Sequence, residues 1–133
     1  MRDPISDPQA PLIRAMDAVR EPFNVNSLAQ VAACAALDDA AFLSRTRALL
    51  REGRRYLTAQ LDALKVRWIP SVANFLLLEL GPGASAVAQA LLERGVIVRE
   101  MSAWKLPGCV RVTIGTMAEN RRLIAALKQS FTR

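Results

Sequence analysis

Arginine is the residue type in this sequence that offers the most chemistry. Arg111 alternates with valines in the run CVRVTIG, and Arg99 ends the run VIVR. A planar guanidinium presents parallel donors that match a carboxylate or a phosphate, which the single ammonium of lysine does not. The same alternation is also typical of a half-exposed strand whose arginine simply faces water. The residues alone leave both interpretations open.

Asparagine supplies the other candidates. Asn74 stands directly before an apolar run, in SVANF, where its amide could face a substrate or close a turn by bonding its own backbone. Asn24 and Asn26, in PFNVN, precede a helix-like stretch, and asparagine is a common helix N-cap. The residues alone do not decide the role of Asn74, and we interpret Asn24 and Asn26 as parts of a capped loop.

Composition excludes several other kinds of chemistry. The 133 residues include no histidine, so this chain alone lacks the usual general base and the commonest metal ligand. We predict no metal site and no Ser-His-Asp triad. Cys34 and Cys109 form no CxxC pair, which favours two buried free thiols. The net charge of +6 comes from scattered basic residues without an aromatic ladder, so nucleic acid is not an expected partner.

The lengths of the apolar runs and the composition of the N-terminus predict where the protein is located. A bilayer span needs roughly 20 apolar residues, and the longest uninterrupted runs, such as 31–37, fall far below this length. The N-terminus, MRDPISDPQAPL, is proline-rich and acidic, whereas a signal peptide is basic and then apolar. We predict a cytoplasmic protein without a membrane partner.

The helices that must position these residues are indicated by apolar spacing and caps. Helices are predicted at 12–19, from Ser27 to Leu37, over 40–64, at 86–94 and after residue 115. Ser27 with Gln30 and Thr116 with Glu119 have the capping-box form, and Gly95 is placed to end a helix in the left-handed conformation. The core-facing residues predicted for the last helix are Leu123, Ile124 and Leu127.

Strands are predicted at 66–69, 74–80, 96–99 and 109–114, between the last three helices. A turn, Gly81-Pro82-Gly83, ends the second of them. Mixed runs of strands and helices indicate an α+β fold, with a small and mostly antiparallel sheet covered by helices on one face.

Four segments, taken in order, resemble the C-terminal portion of the histidinol-phosphate aminotransferases, in the class I/II family of fold-type I pyridoxal-phosphate (PLP) enzymes. Related members, including threonine-phosphate decarboxylase-like enzymes, share much of this pattern, so it indicates the family more firmly than the substrate. The segments are REPFNVNSLAQ (20–30), PSVANFLLLE (70–79), RGVIVRE (94–100) and LPGCVRVTIGTMAEN (106–120).

The resemblance implies two domains along the chain and roles for three residues. Residues 1–37 would be the end of a large domain with its linking helices, and residues 38–133 the small C-terminal domain. Arg111 matches the arginine that clamps a substrate carboxylate, Arg99 an arginine that meets a phosphate at the distal end of the substrate, and Asn74 a position near the substrate. The implied enzyme is a PLP-dependent homodimer that transfers an amino group between glutamate and imidazole-acetol phosphate.

Two departures qualify this resemblance. Lys105 follows Trp104 where relatives more often carry glycine after an aromatic residue. None of Lys65, Lys105 and Lys128 lies in a motif that matches the Schiff-base lysine, which the resemblance places before Met1. We therefore assign no catalytic and no cofactor-binding residue to this chain and expect it to be inactive alone.

Two hypotheses remain open from the sequence. The chain is either a piece of an aminotransferase or a stand-alone, non-catalytic α+β module that binds a carboxylate, a phosphorylated ligand or a protein partner. Exposed apolar surface distinguishes them, because a severed domain exposes the face that met its large domain, whereas an independent module has a polar one.

Overall fold

The computed structural model describes residues 10–20 and 23–131. The chain divides after Ala40 into two compact units. The first unit contains helix α1 (Ala10–Val19) and helix α2 (Ser27–Asp38), and neither helix has a buried residue. The boundary between the large and small domains that the resemblance implies, between residues 37 and 38, stays a prediction.

The N-cap of helix α2 lies one residue before the predicted cap. Asn26 has an extended backbone, and its side chain accepts a hydrogen bond of 2.9 Å from the Ala29 N–H. The Gln30 amide donates to the Val25 carbonyl. The predicted Ser27 cap is therefore wrong, because Ser27 is already helical and Asn26 satisfies the free N–H group. Asn26 is a capping residue, as the structural interpretation of PFNVN proposed.

The second unit is a four-stranded sheet with three helices. All strand pairs are antiparallel and the strand order is β1-β2-β4-β3, which confirms the predicted α+β fold. The elements in chain order are α3 (Ala40–Ala63), β1 (Arg67–Ile69), β2 (Phe75–Glu79), α4 (Ala84–Glu93), β3 (Arg99–Glu100), β4 (Cys109–Thr113) and α5 (Met117–Phe131).

One face of the sheet forms the core. Alternate residues of β2 and β4 are buried against the helices, and the residues between them are only partly covered. Because successive side chains of a strand point to opposite faces, β2 and β4 share an open face away from the core. The buried set includes Leu76, Leu78, Val110 and Val112 of the sheet, and Leu57, Leu61, Leu91, Leu123, Ile124 and Leu127 of the helices.

Strand β3 is shorter than predicted and starts later. Gly95 has φ +69, as predicted for a left-handed helix end, and the Val96 N–H still donates to the Leu91 carbonyl. Residues directly after α4 thus close the helix, and pairing with β4 begins only at Arg99. The prediction of a strand at 96–99 is wrong in its bounds for this reason.

The predicted burial of both cysteines is also wrong. Cys34 is exposed because α2 has no buried face among the described residues, and Cys109 is only partly covered because it lies on the open face of the sheet. Both thiols are free. In the described part of the chain, no helix is long and apolar enough to cross a membrane, and no three acidic, cysteine or histidine side chains are grouped as metal ligands.

Candidate functional site

Two arginines lie side by side on the open face. Antiparallel pairing sets Arg99 of β3 directly opposite Arg111 of β4, with Arg111 between the buried Val110 and Val112. Side chains directly opposite each other project from the same face with their Cβ atoms about 4.5–5.5 Å apart. Two positive charges so placed repel each other, and an anion between them removes that repulsion. The fold therefore brings together two of the three predicted site residues.

An aromatic ring supports each guanidinium. The Cζ of Arg111 lies 5.2 Å from the centre of the Phe75 ring, and the Cζ of Arg99 lies 5.2 Å from the Trp104 ring. A cation over an aromatic face is attracted to it, while the donors on the edge of the guanidinium stay available. Within residues 10–20 and 23–131, neither arginine pairs with a carboxylate.

The carboxylates of β2 and β3, the two strands that pair with β4, are engaged elsewhere. Glu79 lies on the open face of β2 and pairs with Arg67, at 3.4 Å between Oε2 and Nε. Glu100 follows Arg99, and its carboxylate accepts hydrogen bonds from the Ser102 hydroxyl and N–H. Those bonds favour the charged form and lower the pKa of Glu100. Within the part of the chain that the structure describes, the two guanidinium groups thus have no carboxylate partner and are available to bind an anion.

The loop that carries Trp104 includes the Lys105 departure. A single 3₁₀ turn, Ser102–Trp104, ends at Lys105 with φ 59 and ψ 29, which is the left-handed conformation that glycine adopts without steric cost. This explains why a glycine suits that position.

We expect Lys105→Gly to raise the free energy of unfolding by about 0.5–1 kcal/mol, because relief of the left-handed strain exceeds the added entropy of the unfolded chain. Urea denaturation of the 133-residue chain measures it. Lys105→Ala is the matched control, since it keeps the Cβ and should give no gain. An equal gain from alanine would contradict a backbone origin.

Asn74 lies apart from the arginine pair. It is exposed, its carbonyl accepts from the Ile114 N–H at 2.8 Å, and its side chain makes no hydrogen bond within the described residues. Arg111 pairs with Leu77, three positions further along β2, or about 10 Å at the usual rise of a strand. The turn-forming alternative for its side chain is not seen, and its substrate role stays a prediction.

The turn after β4 is held by a buried amide. Asn120 is 1% exposed; its Oδ1 accepts from the Gly115 N–H at 3.1 Å, and its Nδ2 donates to the Gly115 carbonyl at 3.0 Å. Both polar atoms of the side chain are therefore satisfied by one backbone residue. This fixes the direction in which the chain leaves the strand that carries Arg111.

The predicted capping box of α5 is confirmed. The Glu119 carboxylate accepts from the Thr116 N–H at 2.7 Å and from the Thr116 hydroxyl at 2.8 Å, and the Glu119 N–H donates to that hydroxyl. These bonds lower the pKa of Glu119, because they favour its charged form.

A lowered native pKa predicts the pH dependence of stability. The unfolded state binds the proton more tightly, so the contribution of Glu119 is fully present above its unfolded pKa and is lost as pH falls through the native one. We expect Glu119→Gln to flatten the acid limb of stability measured by urea unfolding between about pH 7 and pH 3. The control is Glu93→Gln, at an exposed carboxylate of α4. Identical acid limbs for wild type and Glu119→Gln would contradict the prediction.

The acids beside two of the lysines are engaged with other groups. Lys65 and Lys128 border one cleft with Glu79, which already pairs with Arg67, and the neighbouring Asp62 accepts from the Trp68 indole at 2.8 Å. The acids near these lysines thus hold other groups and leave no carboxylate for a pyridinium nitrogen. Lys105 lies in the loop beside β3, in the left-handed position described above.

Sequence reasoning missed four residues that shape this region, namely Phe75, Trp104, Arg54 and Asn120. The relation of Phe75 to Arg111 depends on the strand register, whereas Trp104 lies five residues after Arg99 and its contact depends on the conformation of that loop. The Arg54 guanidinium donates to the Ala73 carbonyl at 2.6 Å, which joins residues 19 positions apart.

Comparisons with known proteins agree with this architecture. Residues 5–127 match the sequence profile of the family Aminotransferase class I and II. The histidinol-phosphate aminotransferase of Symbiobacterium thermophilum is 50% identical over 122 residues, which cover 92% of this chain and 33% of that protein. The chain therefore spans about a third of the length of the curated relatives it matches.

Solved structures show the same fold. Histidinol-phosphate aminotransferase from Clostridium acetobutylicum aligns with a TM-score of 0.71 at 22% identity, over 90% of this chain and 37% of that one. A decarboxylase from Sulfurospirillum multivorans aligns with a TM-score of 0.67 at 28% identity, over 90% of this chain and 33% of that one. The family resemblance of the four segments is thus confirmed, and this chain belongs to the class I and II aminotransferase family.

Proposed function

We propose that this chain supplies the substrate-anion site of a PLP-dependent aminotransferase that moves an amino group between glutamate and imidazole-acetol phosphate. The observation that carries the proposal is the pair Arg99 and Arg111, side by side on an open sheet face with no carboxylate partner in the described chain. The names of relatives 50% and 47% identical to it support the choice of substrates.

The chemistry of the two substrates suits this pair. Glutamate carries carboxylates and imidazole-acetol phosphate carries a phosphate monoester, and a guanidinium binds either group through parallel hydrogen bonds. Arg111, half-buried and held over Phe75, would fix the anion that sets substrate orientation. Arg99, exposed beside Trp104, would add the second positive charge that a phosphate dianion requires.

We place the cofactor and its lysine in a part of the enzyme outside this chain, and we expect no transamination by the 133 residues alone. Exposed apolar residues of α2, with Leu28, Val31 and Leu37 at 79%, 68% and 70%, support a piece of a larger enzyme over an independent module. The family resemblance supports a cytoplasmic homodimer as the whole enzyme.

A chimera tests the proposed function. This chain replaces the matching third of the Symbiobacterium thermophilum relative, and the purified product is assayed with glutamate and imidazole-acetol phosphate. We expect transamination, and a clear preference for imidazole-acetol phosphate, a phosphorylated ketone, over pyruvate. A chimera that folds and takes up PLP but transfers no amino group to imidazole-acetol phosphate would contradict the proposal. Transfer to pyruvate alone would contradict the choice of substrate.

A further inference from the structure

We propose that Arg54 is a positioning residue for Arg111, acting from α3 through the segment that leads into β2. The significance of this role rests on the proposed function, in which Arg111 binds the substrate anion. The tether itself is a property of the fold that can be tested without any substrate.

Arg54 makes a hydrogen bond to the segment that precedes β2. Its Nη2 donates to the Ala73 carbonyl at 2.6 Å, while its Nε is buried without a hydrogen-bond acceptor among the described residues. A buried N–H without a partner is unfavourable for stability. An apolar side chain of similar length would pack at this site without that cost, so the guanidinium is explained by the carbonyl that it holds rather than by packing.

Helix α3 lies in close contact with the end of β4, which keeps the Arg54 hydrogen bond rigid. A Cβ added at Gly53 would meet the Ile114 side chain at 2.6 Å and the Asn120 amide at 2.8 Å, so only glycine permits the approach. Next to it, the Ile114 N–H donates to the Asn74 carbonyl at 2.8 Å. Adjacent residues of α3 therefore hold the end of β4 and the start of β2 in one fixed relation.

Ala73 connects the Arg54 contact to the anion site. Ala73 is bonded on both sides, since its N–H donates to the Ser71 hydroxyl at 3.1 Å and its carbonyl accepts from Arg54. Two residues later Phe75 enters the strand, and its ring lies under the Arg111 guanidinium. Loss of the Arg54 tether frees the strand entry, and the Phe75 ring then no longer holds the guanidinium in one orientation.

The experiment follows the Nε–Hε signal of Arg111 by NMR in the ¹⁵N-labelled 133-residue chain, assigned with Arg111→Lys. The ring current of Phe75 displaces this signal, and Phe75→Leu gives its position without the ring. We expect Arg54→Met to move the signal most of the way to the Phe75→Leu position while the core amide spectrum stays folded. The control Arg55→Met, at an exposed neighbour on the same helix, should leave the signal in place.

A folded Arg54→Met chain with an unmoved Arg111 signal would overturn the inference and leave Arg54 a merely structural residue. Should Arg54→Met fail to fold, Arg54→Gln replaces it, since glutamine is polar but too short to keep the tether, and the same two outcomes apply. No anion is added in these measurements. Failure of the proposed function, seen as absent transamination in the chimera, is therefore distinguishable from failure of this inference.

Discussion

Replacing Arg111 by alanine in the chimeric enzyme is expected to lower kcat/KM roughly 30- to 700-fold for glutamate and for imidazole-acetol phosphate alike. This corresponds to a loss of about 2–4 kcal/mol of transition-state stabilisation. The reason is the loss of a bidentate, charge-assisted pair with the anion that orients the substrate. Steady-state kinetics with each substrate varied in turn measure the effect. Since an alanine also leaves Phe75 without its cation, folding of the variant is checked by the melting temperature.

Two further arginine variants delimit this prediction. Arg99→Ala should reduce kcat/KM mainly for the phosphorylated substrate, because Arg99 supplies the second charge of the pair. Arg121→Ala is the matched control, at an exposed arginine of α5. Unchanged kinetics for both Arg111→Ala and Arg99→Ala, or an equal loss for Arg121→Ala, would contradict the assignment of the site.

The second large effect is on stability. We expect Asn120→Ala to lower the free energy of unfolding of the 133-residue chain by about 2–4 kcal/mol, because it removes two hydrogen bonds and leaves the Gly115 N–H and carbonyl without partners. Urea denaturation at neutral pH measures the change. Arg121→Ala, at the exposed neighbouring position, should change it by less than about 0.5 kcal/mol.

The origin of that loss can be checked separately. Asn120→Asp keeps an oxygen for the Gly115 N–H but sets a carboxylate against the Gly115 carbonyl, so it should also destabilise the chain, and less so at acid pH where the carboxyl is protonated. A change below about 0.5 kcal/mol for Asn120→Ala would mean that the turn after β4 does not depend on this side chain.

Elements with strong local signals were predictable from the sequence. Glu119 three residues after Thr116 defined the start of α5, and Gly95 marked the end of α4, because both signals depend on backbone groups only a few residues away. The core positions Leu123, Ile124 and Leu127 followed from helical spacing alone.

Other features depend on register and on distant contacts. Asn26 and Ser27 are both good N-caps, so local preference could not decide between them. The start of β3 is set by its pairing with β4, and the proximity of Arg99 to Arg111 follows from that pairing. Sequence similarity indicated both arginines, but only the fold shows that they share one face. The Arg54 tether joins two elements and has no local signature.

Titration of the ¹⁵N-labelled 133-residue chain with inorganic phosphate shows whether Arg99 and Arg111 form one anion site. We expect the Nε–Hε signals of both arginines to move together along one saturating curve. Chloride at equal ionic strength should not reproduce this curve, and Arg111→Lys should weaken it at Arg99. Separate, non-saturating drifts of the two signals, or the same drift at Arg67, would contradict a shared site.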